Sequence, residues 1–235
     1  MILNLTAVVA MGQSASPDIT EYTQRTLKDA TFVARKVRAV QTELKKINDD
    51  FGAIYRFDRI TFFYREPLML RVEAQVEETS AVYIIDGPIQ MFRVPRLRLN
   101  QRMNLKDAPG RRQTPLDFGV LTSGMFKDLF QAKFVRVDRA TNDAVYDLTY
   151  RNSDDTSRHR VWVDTEKGIT TKREWYNQPG RQIATFTYEK PEKQNGCWIA
   201  TEVTVRNVDN KVAGILRYEK FRVNTGLKDS LFELK

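Results

Sequence analysis

Between Leu68 and Val76 every second residue is apolar. Leu68, Leu70, Val72, Ala74 and Val76 fall on one parity, and Met69, Arg71, Glu73 and Gln75 on the other. Side chains alternate across a strand, so the stretch has one apolar face and one mostly charged face. The preceding run, "AIYRFDRITFFYRE", repeats the pattern with Ile60, Phe62 and Tyr64, and "SAVYIIDG" follows with an Asp86-Gly87 hairpin signal. Further strands are expected around 132–138, 144–150, 159–164, 169–176, 182–189, 197–207 and 212–223, separated by the turn stretches "RNSDDTS", "DTEKG", "NQPG", "KQNG" and "VDNK". A sheet of that many strands must curl, with any helices set inside the curl or over its mouth. The chain is therefore mainly β within an α+β class.

Two helical segments are expected beside the sheet. Ser16-Pro17 has the form of an N-cap followed by proline at the first helical position. After it Leu27, Ala30, Val33, Val37, Val40, Leu44 and Ile47 recur at spacings of three and four, which predicts an amphipathic helix to about Asn48. The second is a short helix in "PLDFGVLTSGMFKDLFQ", with Met125, Phe126, Leu129 and Phe130 on one side.

The apolar run at residues 2–11 is followed by Gly12, Ser14, Ala15 and Ser16. It reads as a secretory signal over residues 1–15 ahead of one domain over 16–235, although the first basic residue is Arg25. The run is shorter than the roughly 20 residues of a membrane-spanning helix.

Charge and chemistry narrow the function classes. The chain carries a formal net charge of +8, and the irregular stretch from Arg93 to Arg112 holds seven basic residues against Asp107 alone. Such a segment suits an acidic partner or an anionic headgroup. Within it Arg96, Arg98 and Arg102 form the candidate docking patch. His159 is the only histidine and Cys197 the only cysteine, so a histidine-based metal cluster and an intramolecular disulfide are both ruled out. There is no glycine-rich phosphate loop and no recognised nucleic-acid module. No cofactor or metal is expected, catalysis is not expected, and nucleic acid is not an expected partner.

The residues also carry a resemblance. "REPLMLR" followed by "IIDGPIQMFRVP" places Pro67, Arg71, Asp86, Gly87 and Pro95 in the order and spacing of periplasmic lipoprotein carriers of the LolA type. The tail "RYEKFRVNTGLKDSLFELK" resembles the ending of the broader outer-membrane lipoprotein-sorting proteins through Asn224, Gly226, Leu227, Leu231 and Phe232. The resemblance implies an unclosed half β-barrel of about 10–11 strands with helices as lid or plug over an apolar cavity. It implies a monomeric periplasmic carrier that binds the acyl chains of lipoproteins or lipids and works between membrane-bound donor and acceptor proteins. The alternative is a periplasmic sensor or interaction module of the same fold. The cavity would be lined by Ile60, Phe62, Tyr64, Leu68, Leu70, Val72, Ala74 and Val76, and the lid formed by Val33, Val37, Met125, Phe126, Leu129 and Phe130. The resemblance gives Arg71 a role as lid latch, whereas alternation alone puts it on the charged face, away from Leu70 and Val72.

Overall fold

The computed structural model describes residues 16–48, 51–76 and 79–233. The expected signal segment and the side chain of Val76 lie outside the described residues.

The architecture is one antiparallel sheet of 13 strands. Its first half comprises β1 (Asp29–Ala39), β2 (Arg59–Arg65), β3 (Met69–Val76), β4 (Thr79–Asp86), β5 (Ile89–Val94) and β6 (Leu99–Asn104). The second comprises β7 (Phe130–Val137), β8 (Ala144–Tyr150), β9 (Arg158–Asp164), β10 (Ile169–Tyr176), β11 (Gln182–Gln194), β12 (Cys197–Asn207) and β13 (Val212–Val223). The strand order is β6-β5-β4-β3-β2-β1-β13-β12-β11-β10-β9-β8-β7, so β1 and β13 join the halves and the two edges do not meet. This is the unclosed sheet expected from the sequence, with more strands than expected. Helices are few and short: α1 (Gln41–Lys45) and α2 (Phe51–Ile54) between β1 and β2, and α3 (Ser123–Asp128) before β7. Among the described residues no helix is long and apolar enough to cross a membrane.

Topology dictates where the connection between β6 and β7 must go. These two strands are opposite edges of the sheet, so the chain between them has to cross from one edge to the other. Because the sheet curls, the short route runs over its concave face. Leu105, Phe118 and Val120 of this crossing segment pack into one buried cluster of that face, and Leu116, Leu121, Met125 and Phe126 into a second.

Two expected features are corrected. The long helix after Ser16 is largely β1. Register shifts against β13 fall between Thr31 and Val33 and between Lys36 and Arg38. The first adds a residue to β13 and only the second adds one to β1. Against β2 the pairing is regular over Asp29–Arg35, so Ala30, Phe32 and Ala34 share one face and Val33 takes the other, and apolar residues drawn from both faces read as spacings of three and four. Phe32, which the helical stripe omitted, is buried beside Phe62. β6 lies inside what reads as an irregular basic stretch, and β5 ends in it: β6 is an outer edge, and four of its six residues are polar or charged, Leu99 and Met103 being the other two. Charge on an edge strand discourages pairing with other chains and conceals the strand from pattern reading.

Candidate functional site

The apolar stripe that singled out β3 lies on the concave face. Pairing sets Ile60 opposite Ala74, Phe62 opposite Val72 and Tyr64 opposite Leu70, and residues paired in this way share a face. β1 extends the row, with Ala30, Phe32 and Ala34 opposite Tyr64, Phe62 and Ile60. All of these residues are buried in one cluster, and Leu70 is only 2% exposed.

The chain itself covers that face. The Phe118 ring stands edge-on to Phe32, Phe62 and Tyr218, with centroids 4.9, 4.8 and 5.9 Å away. Leu44 and Ile47, from α1 and the turn after it, and Tyr55, just after α2, complete the covering. Between Leu27, Phe32, Tyr64, Phe118, Ile199 and Phe221 a cavity of about 20 Å³ is left, room for roughly one water. The stripe expected to line an acyl cavity is packed core in this conformation.

The crossing segment is held by polar contacts. "TPLDFG" makes a 3-10 helix, Pro115–Phe118, with a capping box in which the Thr114 backbone N–H donates to Asp117 Oδ2 at 2.8 Å. Asp117 Oδ1 accepts from Arg173 Nη1 at 2.8 Å. Arg173 comes from β10 and is 3% exposed, with its guanidinium 3.9 Å from the centroid of the Phe186 ring. Burial works against its charge, but Tyr188, Asp117 and the hydrogen bond outweigh that and hold its pKa above the ordinary arginine value. Tyr188 donates through its hydroxyl to the Leu116 carbonyl at 2.8 Å. Gly119 then turns the chain at φ 75°, where a Cβ would lie 2.8 Å from the Tyr188 ring, so glycine is required both by conformation and by space. Further along, the Gly119 carbonyl accepts from Thr170 N–H and the Leu121 carbonyl from Gln24 N–H, both at 2.9 Å. Tyr64 Oη donates to Thr122 Oγ1 at 3.3 Å.

The other expected site residues are distributed as follows. Leu68, Met125, Phe126, Leu129 and Phe130 are buried together in the second cluster, against Tyr146, Leu148, Val161 and Val163 of β8 and β9. α3 therefore covers the β7 end of the sheet rather than the β2–β3 stripe. Val33 and Val37 are strand residues of β1, and Val37 is 51% exposed, so neither belongs to a helical lid. Arg71 is on the opposite face from Leu70. Its Nε donates to Glu73 Oε1 at 2.6 Å and its Nη1 to the Leu231 carbonyl at 2.9 Å, so it holds the C-terminal segment. Arg96, Arg98 and Arg102 are exposed around β6. The sequence reading did not find Asp117, Phe118 or Arg173. Thr114, Pro115, Asp117 and Gly119 do form a readable capping-box-and-glycine signal.

His159 lies beneath this network, with Nε2 3.2 Å from Tyr150 Oη. Burial first, and the Arg173 charge second, hold its imidazole well below the ordinary histidine range. The unfolded chain takes up a proton on His159 near pH 6.5 while the folded chain does not. Stability from this group is therefore present above the unfolded value and lost as pH falls through it, by up to about 1.4 kcal/mol per pH unit. Urea denaturation between pH 7 and pH 5 should show a shallower loss for His159→Phe than for the parent. Equal slopes would mean that the imidazole is protonated in the folded state.

Among the described residues no group of three or more His, Cys, Asp or Glu side chains could hold a metal ion.

Comparisons with known proteins agree with the fold. A family model described as "Uncharacterized protein" matches residues 117–235. No curated protein matches the chain. Among solved structures, a DUF1329 family protein from Desulfovibrio piger is similar at TM-score 0.59 and 12% identity, covering 92% of each chain. A structure assigned to an outer membrane lipoprotein-sorting protein domain from Vibrio parahaemolyticus is similar at TM-score 0.60 and 15% identity, covering 91% of this chain and 92% of that one. A LolA superfamily protein from Nitrosomonas europaea is similar at TM-score 0.58 and 15% identity, covering 92% and 96%. At these identities the likeness establishes a LolA-like fold.

Proposed function

The chain belongs to the uncharacterized-protein family that matches its residues 117–235 and carries a LolA-like fold, and from this we propose that it is a periplasmic carrier for the acyl chains of lipoproteins or lipids, moving them toward the outer membrane. The observation that carries the reading is the covering of the concave face. A single chain segment, anchored at a few polar points, lies over a continuous apolar surface formed by β1, β2 and β3 and by the β11–β13 side of the sheet.

Cargo would enter where Phe118 now sits. Swinging Pro115–Phe118 away exposes Phe32, Phe62 and Tyr218 without breaking a strand pair, because the segment is bound to the sheet by side-chain contacts and one isolated bridge, Val120 to Ile169. Burying one CH₂ is worth about 0.8 kcal/mol, so an acyl chain of ordinary length supplies enough to displace several such contacts. A face covered by the protein's own side chains when empty also favours release, since the closed state competes with cargo. The LolA superfamily and lipoprotein-sorting structures of the same fold support this reading. Arg96, Arg98 and Arg102 would dock the carrier on anionic headgroups or an acidic acceptor.

The test is transfer of a triacylated lipopeptide from vesicles. The protein should carry the lipopeptide into the soluble fraction as a one-to-one complex in gel filtration. Reversing Arg96, Arg98 and Arg102 to Glu should slow exchange with anionic vesicles at low salt and leave affinity for a soluble uncharged acyl probe unchanged. A protein that leaves all lipopeptide on the vesicles is not a carrier, and the interaction-module reading then takes its place.

A further inference from the structure

The outer face of β3–β5 carries a second concavity, built by the tail of the chain. Asn224 takes a left-handed conformation at φ 59°, its Oδ1 accepting from Lys28 N–H at 2.8 Å and its Nδ2 donating to the Thr26 carbonyl at 2.9 Å. The Asp29 carboxylate receives the N–H groups of Thr225 and Gly226 at 2.8 and 2.9 Å and the Thr225 hydroxyl at 3.0 Å. Burial alone would raise the Asp29 pKa, but these bonds outweigh it and hold the carboxyl below its ordinary value. From this clip the chain crosses to the 3-10 helix Asp229–Phe232. That helix is fixed by an Arg65–Asp229 ion pair, by burial of Phe232 and by Arg71 on the Leu231 carbonyl. Four of the five tail residues that carried the resemblance, Asn224, Gly226, Leu231 and Phe232, thus serve to dock a strap on the outside of the sheet.

Between strap and sheet lies a cavity of about 340 Å³, lined by Arg71, Val82, Arg93, Pro95, Ser230 and Leu231. Pairing puts Arg71 opposite Ile84, Ile84 opposite Met91 and Met91 opposite Arg102, and puts Glu73 opposite Val82 and Val82 opposite Arg93. All of these share the outer face, and Ile84 is fully buried there. The cavity therefore combines apolar walls, Val82 and Pro95 on the sheet side and Leu231 on the strap, with Arg71 and Arg93, and Arg102 lies farther along the same face. Among the described residues Glu233 is the one carboxylate in the lining and Glu73, on the same face, engages Arg71 Nε, while the adjoining stretch from Arg93 to Arg112 holds seven basic residues against Asp107. The volume is that of a small-ligand site. Arginine presents a planar fork matched to carboxylate and phosphate oxygens, and the apolar walls suit an alkyl chain.

We propose that this open cavity beside the strap is a second binding site, for a small anionic amphiphile: one short alkyl chain against Val82, Pro95 and Leu231, and a carboxylate or phosphate head on the arginines. It lies on the opposite face of the sheet from the concave acyl surface and does not depend on that surface binding anything.

The experiment is a methyl NMR titration of the full chain with decanoate, decanol and inorganic phosphate in turn. Decanoate should shift the Val82 and Leu231 methyl signals saturably, and decanol and phosphate should do so at least tenfold more weakly. Arg93→Gln should weaken the decanoate effect at least tenfold while the remaining methyl spectrum shows an intact fold, and Val82→Trp, which fills the cavity, should abolish the effect at Leu231. Decanoate shifts confined to Leu70 and Val72 would overturn the site and leave the concave reading standing. Phosphate acting as strongly as decanoate would reduce it to a patch for free anions, and an undiminished effect in Arg93→Gln would remove the arginine from it. If Val82→Trp does not fold, the Arg93→Gln titration decides alone. Failure of the lipopeptide transfer described above would leave a positive result here untouched.

Discussion

Replacing Asp117 with alanine is expected to destabilise the protein by about 3–5 kcal/mol, because it leaves the Arg173 cation buried without its partner. Arg173 is almost wholly enclosed, and Asp117 is the only carboxylate that the described contacts bring to its guanidinium. The same substitution removes the capping box of Pro115–Phe118, which is worth about 1 kcal/mol more. Asp117→Ala combined with Arg173→Met should be more stable than Asp117→Ala alone, since the second change removes the stranded charge and keeps apolar bulk beside Phe186. Urea denaturation of the two single variants and the double variant decides the matter. If the double variant loses the sum of the single losses, the two side chains act independently and the pair is not what holds the crossing segment.

Local patterns made most of the sheet legible. β8, β9, β10, β12 and β13 fall within a residue or two of their expected spans, since each alternates cleanly between turns rich in Gly, Asn and Asp. Where the pattern failed, a nonlocal cause intervened. β1 carries buried residues on both faces, Val33 on one and Ala30, Phe32 and Ala34 on the other, and its pairing with β13 adds a residue only between Lys36 and Arg38. The site was half legible for the same reason. The parity of Ile60, Phe62, Tyr64, Leu70, Val72 and Ala74 follows from alternation, but what covers them follows from β6 and β7 being opposite edges, and strand order is not written in any one strand. Arg173 in "TTKREWY" reads as one more solvated strand charge; its partner is 56 residues away in sequence. Arg71 is a similar case. Alternation puts it on the face opposite Leu70, and there it donates to Glu73 and to the Leu231 carbonyl, a contact that no local pattern announces.

Phe118→Ala is expected to pull stability and binding in opposite directions. Removing a buried phenyl ring costs about 3–5 kcal/mol when its neighbours cannot close the space. Here Phe32, Phe62 and Tyr218 sit on three paired strands and already pack on one another, which fixes their positions around the ring. The cavity of about 20 Å³ beside Phe118 would grow by the volume of the ring, and apolar cavities of that kind stay dry and take up apolar guests. If Phe118 is what keeps the concave face closed, the parent spends only a fraction of its time binding-competent, and its apparent affinity is reduced by that fraction. The variant escapes this, so its affinity for an uncharged acyl fluorophore should rise at least tenfold while its urea midpoint falls. Phe118→Leu, which keeps most of the bulk, should lie between the two on both scales. A variant that loses stability without gaining affinity would show that Phe118 is ordinary core, and that acyl chains, if bound at all, enter this protein somewhere other than between the crossing segment and the sheet.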